Sequence, residues 1–226
     1  MLFTGGEDGK LRLLSLASSP MECSSKLSVF ERPHQLRTFH PHEYGVTFIL
    51  PLPVYSTDTP QCFLLTGGYD DYIRVFTTHD SRSTAPKMGK PQVLAELKIE
   101  GAGWRLQFLE NYWSPGSRST SLSKENTVSS AQIAPFVFRV LASCHVAGAK
   151  ILEITGSLSG DWAVKELGNV TIHDSMCYAS GVVPTESKRG ETINPSLPRI
   201  CVSTSWEDRL LCVWEWYPEG RKESEF

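Results

Sequence analysis

One thirteen-residue pattern, written more than once along the chain, limits the possible folds more than any other feature. Leu64-Leu65-Thr66-Gly67-Gly68-Tyr69-Asp70-Asp71-Tyr72-Ile73-Arg74-Val75-Phe76 reads as strand, tight turn, strand. The two glycines let the backbone turn without a Cβ clash, and the apolar pattern restarts beyond an acidic turn. An echo runs from Leu2 to Leu14 through Gly5-Gly6-Glu7-Asp8, and another from Val202 to Trp214 through Trp206-Glu207-Asp208. Asp8, Asp70 and Asp208 then share one column, and Leu14, Phe76 and Trp214 another. A degenerate copy, Val140 to Leu152, keeps the apolar flanks and loses the acidic turn residue.

Repetition on this scale decides the architecture. Asp70 follows Asp8 by 62 residues and Asp208 follows Asp70 by 138, which leaves room for the degenerate unit between. Four hairpins with one or two strands between each pair predict an all-β chain of propeller blades, whose repeat is about 40 to 45 residues before insertions. The expected blade segments are 1–39, 40–99, 100–168 and 169–217, with a polar tail at 218–226. Leu11–Leu16, Gln35–Phe39, Val46–Leu50, Cys62–Thr66, Tyr72–Thr77 and Phe136–Cys144 are among the predicted strands, and Pro51 and Pro53 are expected to stop Val46–Leu50, because proline cannot donate to a ladder. Residues 114–130 and 184–198 read as surface loops. The first blade lacks its innermost strand, so about three and a half blades are expected, the C-terminal part of an N-terminally truncated seven-bladed ring. Its open edges predict aggregation of these residues expressed alone.

Composition narrows the function classes. Of 226 residues, 40% are apolar and 21% charged, enough for a sizeable core. A net charge of −3 gives no electrostatic case for direct nucleic-acid binding. The six cysteines (Cys23, Cys62, Cys144, Cys177, Cys201, Cys212) have no CxxC spacing and read as buried free thiols of a reducing, cytoplasmic compartment. No apolar run reaches the ~20 residues of a membrane span. Neither a GxSxG elbow nor HExxH, CxxC or a His-carboxylate cluster occurs, so no metal and no cofactor is expected. The bases available are His34, His40, His42, His79, His145 and His173.

The repeats resemble WD-repeat blades, in which a histidine before the first strand of a blade bonds an aspartate in the turn between the second and third. That resemblance pairs His42 with Asp70 and His173 with Asp208, and gives Asp8 a structural place. Phe76-Thr77 and Trp214-Glu215 stand in for the Trp-Asp ending.

The succession Gly67-Gly68-Tyr69-Asp70, Gly103-Trp104-Arg105-Leu106, Ala142-Ser143-Cys144 with Gly148-Ala149-Lys150-Ile151-Leu152, and Leu211-Cys212-Val213-Trp214-Glu215-Trp216 resembles, over residues 1–217, the C-terminal half of the WD-repeat family of the diphthamide pathway, the diphthine methyl esterases, also called diphthine methyltransferases. The resemblance implies hydrolysis of the methyl ester of methylated diphthine on elongation factor 2, with water as co-substrate and methanol as product, in the cytoplasm. It also implies a connection with endosomal recycling. A non-catalytic WD-repeat scaffold for protein partners is the alternative.

Ester hydrolysis needs an activated nucleophile or water and donors for the oxyanion. His145 follows Cys144 in the blade whose turn has lost its aspartate, so it has no evident structural partner and is the candidate base. Arg105 sits where an innermost strand starts and is the candidate holder of a carboxylate or oxyanion, unless it stacks on Trp104 and packs the blade. Trp104, Tyr69 and Trp206 are candidates for a substrate or partner rim.

Overall fold

The computed structural model describes residues 2–15, 35–54, 61–79, 91–112, 136–158, 160–183 and 197–218. These form four antiparallel sheets and no helix, with the strands of each sheet in chain order. The first sheet holds β1 (Leu2–Gly5), β2 (Leu11–Ser15) and β3 (Gln35–Phe39). In the second are β4 (Val46–Leu52), β5 (Gln61–Gly68), β6 (Tyr72–His79) and β7 (Gln92–Lys98). The third contains β8 (Arg105–Tyr112), β9 (Phe136–Ser143), β10 (Ala149–Gly156) and β11 (Trp162–Val170), and the fourth β12 (Cys177–Val182), β13 (Arg199–Ser205) and β14 (Leu211–Trp216). β11 runs to Val170, past the expected boundary at 168. The expected loop at 114–130, most of that at 184–198, the tail beyond 218 and Cys23 lie outside the described residues, as does His34.

The hairpins fall where the repeat puts them, with Gly67 opposite Ile73, Gly5 opposite Leu11 and Ser143 opposite Ala149. One expectation needs correcting: β4 does not stop at Leu50 but continues through Pro51, which pairs with Leu64, to Leu52. β4 is an edge strand paired only with β5, and an edge tolerates a residue with no N–H to donate.

Three apolar cores alternate with the four sheets. Leu11, Leu64 and Phe76 meet between the first and second. Phe63, Leu65, Ile73 and Val75 face Phe138, Val140, Leu152 and Ile154 between the second and third. Leu141, Ala149 and Ile151 face Cys177, Cys201 and Trp214 between the third and fourth. Neighbouring residues of one strand, such as Leu64 and Leu65 or Val140 and Leu141, thus serve opposite cores, as the two-residue period of a strand dictates. Among the described residues no helix is long and apolar enough to cross a membrane.

The inner edges of the second and third sheets come together with little room to spare. A Cβ on Gly67 would lie 2.5 Å from the Gly103 carbonyl oxygen, and Thr47 Oγ1 donates to that same oxygen at 2.5 Å. Gly67→Ala is expected to destabilise the chain by about 1–3 kcal/mol through overpacking, and Leu152→Ala by about 2–5 kcal/mol through a cavity. Chemical denaturation beside Val93→Ala, which alters an exposed side chain, checks both; equal midpoints in all three would contradict the packing described.

Candidate functional site

The turns joining β1–β2, β5–β6, β9–β10 and β13–β14 gather at one end with the segments that lead into β4, β8 and β12. Backbone bonds tie them together: Val46 N–H to Gly6 O (3.0 Å), Tyr69 N–H to Gly45 O (2.9 Å), Ile99 N–H to Asp71 O (2.8 Å) and Cys177 N–H to His145 O (2.9 Å). Among the described residues the four non-glycine residues with positive φ, Asp71, Glu100, His145 and Arg209, lie at this end.

Beneath the second sheet's turn is a buried polar network. His42 Nδ1 lies 2.8 Å from Asp70 Oδ1, and its Nε2 lies 2.9 Å from Thr66 Oγ1. Asp70 also accepts from the Glu43 amide (3.1 Å), the Tyr72 amide (3.3 Å) and Arg74 Nη1 (2.6 Å), while Arg74 Nε reaches Glu96 at 2.9 Å. A Cβ on Gly68 would lie 2.2 Å from His42 Nδ1, so the ring occupies the space that glycine leaves. Burial holds the His42 pKa below its ordinary value against the pull of Asp70. Burial also acts to raise that of Asp70, but the bonds from Arg74, His42 and the Glu43 amide outweigh it and hold the carboxyl below the usual range.

In the fourth sheet His173 does not bond Asp208 as the repeat led us to expect. Trp214 Nε1 donates to Ser203 Oγ at 3.3 Å, and Ser203 lies 2.8 Å from His173 Nε2. Since an indole N–H only donates, the serine proton is free to go to Nε2. That leaves the ring's own proton on Nδ1, 3.7 Å from Asp208 Oδ2 and outside hydrogen-bond reach. The Asp208 carboxylate is occupied instead by the amides of Asp174 (3.1 Å) and Leu210 (3.0 Å). In the first sheet Asp8 is exposed and binds Arg12 and the Lys10 amide.

The third sheet has no such network. A Cβ on Gly101 would meet the Cys144 oxygen at 2.2 Å, and Val146 stands at the aspartate position. Lys150 replaces Arg74 and pairs with Glu166 at 2.7 Å. The turn is tied to the neighbouring sheet instead, through the bridge between His145 and Cys177.

Here the aromatic residues converge. The Trp104 ring lies 5.3 Å from Tyr69, edge to face, 5.3 Å from Tyr178 and 6.1 Å from His145, and His145 lies 5.8 Å from Tyr178. Trp104 and His145, both singled out from sequence, are brought together. Arg105 does not stack on Trp104: it is exposed, stands opposite Ser143 in the β8–β9 register, and forms no ion pair or ring contact among the described residues. Trp206 projects from the β13–β14 turn, outside these ring contacts. Tyr178 was missed from sequence because a lone tyrosine in a strand carries no mark; only packing of β12 beside the third sheet places it. Thr66, Arg74 and Ser203 were missed for a similar reason, their roles lying in partners far along the chain.

Burial pushes the thiol pKa values of Cys144 and Cys201 up to about 12 and that of Cys177 to about 11, which disfavours thiolate nucleophiles. Ser143 Oγ is engaged with Ser180 Oγ at 2.7 Å. Among the described residues no group of three His, Cys, Asp or Glu could hold a metal ion. A groove of about 760 Å³ lies on the fourth sheet, lined by Leu167, Ile200, Val213, Trp214 and Trp216, and none of its lining residues belongs to the loop end. No family model matches the chain, and no curated protein matches it.

The buried network makes stability depend on pH in a definite direction. His42 is held neutral, so its contribution is complete above about pH 6.5 and declines as the pH falls below that value; Asp70 adds a second decline below about pH 4, as its carboxylate is protonated. Thermal melting against pH is expected to show both steps. Asp70→Ala is expected to remove the second and to cost about 1–3 kcal/mol at neutral pH, by stripping a buried imidazole of its partner. An unchanged melting temperature would refute this role.

Proposed function

We propose that the chain is a segment of a WD-type β-propeller that hydrolyses the methyl ester of methylated diphthine on elongation factor 2. What supports a propeller is four consecutive antiparallel sheets packed face to face in chain order, with the His–Asp–Thr network of the second sheet under its turn. The observation that carries the hydrolysis is convergence: Trp104, Tyr178 and His145, from three separate segments, share one ring cluster, and Arg105 follows directly on Trp104.

In this reading a water molecule attacks the ester carbonyl carbon and His145 takes its proton. Arg105, with no competing ion pair among the described residues, steadies the oxyanion through its planar fork. The bond to the methoxy oxygen then breaks, His145 returns the proton to that oxygen, and methanol leaves; the carboxylic acid that remains ionises to solvent. The loop-end rings flank the ester as the rim against which the protein substrate is held.

A second reading is favoured by one observation. The His145 ring makes no hydrogen bond among the described residues, so no carboxylate orients it. A non-catalytic WD-repeat scaffold that presents the loop end to protein partners, endosomal recycling proteins included, needs none.

Methanol release from methylated elongation factor 2 separates the two. Under the hydrolysis reading His145→Gln is expected to lower turnover about a hundredfold or more, and Arg105→Ala to lower kcat/KM about tenfold or more with an unchanged melting transition. Normal turnover in both variants would remove these residues from the chemistry, and no release by the unaltered protein would leave the scaffold.

A further inference from the structure

We infer that the loop end of the four sheets is a docking surface for a basic, Arg- and Lys-bearing segment of a protein partner. Its turns and entry segments are hydrogen-bonded into one surface, the β13–β14 turn through Asp208 to the Asp174 amide and through the Glu207 amide to Ser175 Oγ, so side chains from all four sheets meet a partner together. Large rings stand out from it: Trp206 is 75% exposed, Tyr44 57%, Tyr69 46% and Tyr178 38%. Exposed rings in such number on one end, around a packed Trp104, supply the faces on which guanidinium and ammonium groups settle.

Charge selects the occupant. Three carboxylates on the strands are neutralised: Glu96 by Arg74, Glu153 by Arg139 and Lys165, Glu166 by Lys150. At the loop end Glu7, Glu43, Glu100, Asp174 and Glu207 are exposed and none forms an ion pair among the described residues. Among the described residues Lys98, Arg105 and Arg209 are the exposed cations without an ion pair there, three against five carboxylates. Glu43 precedes Tyr44 in the chain and Glu207 follows Trp206, and all four are exposed. Such a surface attracts cationic chains and repels nucleic acid and anionic lipid. The inference goes beyond the hydrolysis reading and does not depend on it, because it is read by binding rather than turnover.

The test is fluorescence polarisation of the full chain with a fluorescein-labelled peptide of Arg-Gly-Gly repeats, beside a Glu-Gly-Gly peptide and a single-stranded RNA of similar length. The basic peptide is expected to bind, more weakly as salt is raised, while the acidic peptide and the RNA do not. Trp206→Ala and Glu207→Gln are each expected to weaken it about two- to five-fold with unchanged melting transitions. Asp161→Asn, which alters an exposed carboxylate in the β10–β11 turn at the opposite end, is expected to leave binding unaltered. No binding of the basic peptide, equal binding of the acidic one, tighter binding of RNA, or an equal loss in Asp161→Asn would each overturn the proposal. Methanol release measured in parallel distinguishes failure here from failure of the hydrolysis reading.

Discussion

Burial of the third sheet on both faces is the constraint on which the rest depends. β9 and β10 send Val140, Phe138, Leu152 and Ile154 into one core and Leu141, Ala149 and Ile151 into the other. With a side-chain period of two, a slip of one residue in either strand would exchange these sets. The register of the neighbouring sheets is fixed against the same alternation. Stability is therefore assembled between sheets rather than within them, because one sheet in water has no second apolar surface on which to close.

Polar residues work at the end of the sheets, where apolar packing runs out. The second sheet holds its turn to the approaching chain through a neutral imidazole between a carboxylate and a hydroxyl, with the guanidinium of Arg74 closing the other side. The fourth uses indole, serine and imidazole in series and spends its carboxylate on two amides. The first arrangement satisfies both nitrogens of its buried imidazole, whereas the second leaves His173 Nδ1 buried without a hydrogen bond. The third sheet lacks the donors for either, and its turn is where the rings collect.

Sequence made the hairpins legible because turn chemistry and apolar alternation are local. The runs at Leu64–Phe76 and Val140–Leu152 therefore became β5–β6 and β9–β10. Pro51 misled, because whether a missing N–H matters depends on which side of the strand has a neighbour, a property of the sheet rather than the residue. The His42–Asp70 pairing could be expected from a repeat, whereas the Ser203 bond to His173 could not, since it depends on where the β13–β14 turn places Asp208. In the ring cluster His145 was visible as a departure from the repeat and Trp104 by its place after two glycines where an innermost strand starts. Tyr178 becomes visible only when the fourth sheet is laid against the third.

The bridge between His145 and Cys177 has a mechanical meaning. In the second sheet the turn is anchored by its aspartate to the segment entering that same sheet, and by the Asp71 carbonyl to Ile99 in the segment leading to the next. In the third, the turn's main chain is fastened to the first strand of the next sheet, and the ring of His145 rests on Tyr178 of that strand. A load on Trp104 or His145 therefore meets main-chain and ring contacts that belong to both sheets, so the third turn and the start of β12 share it across the seam.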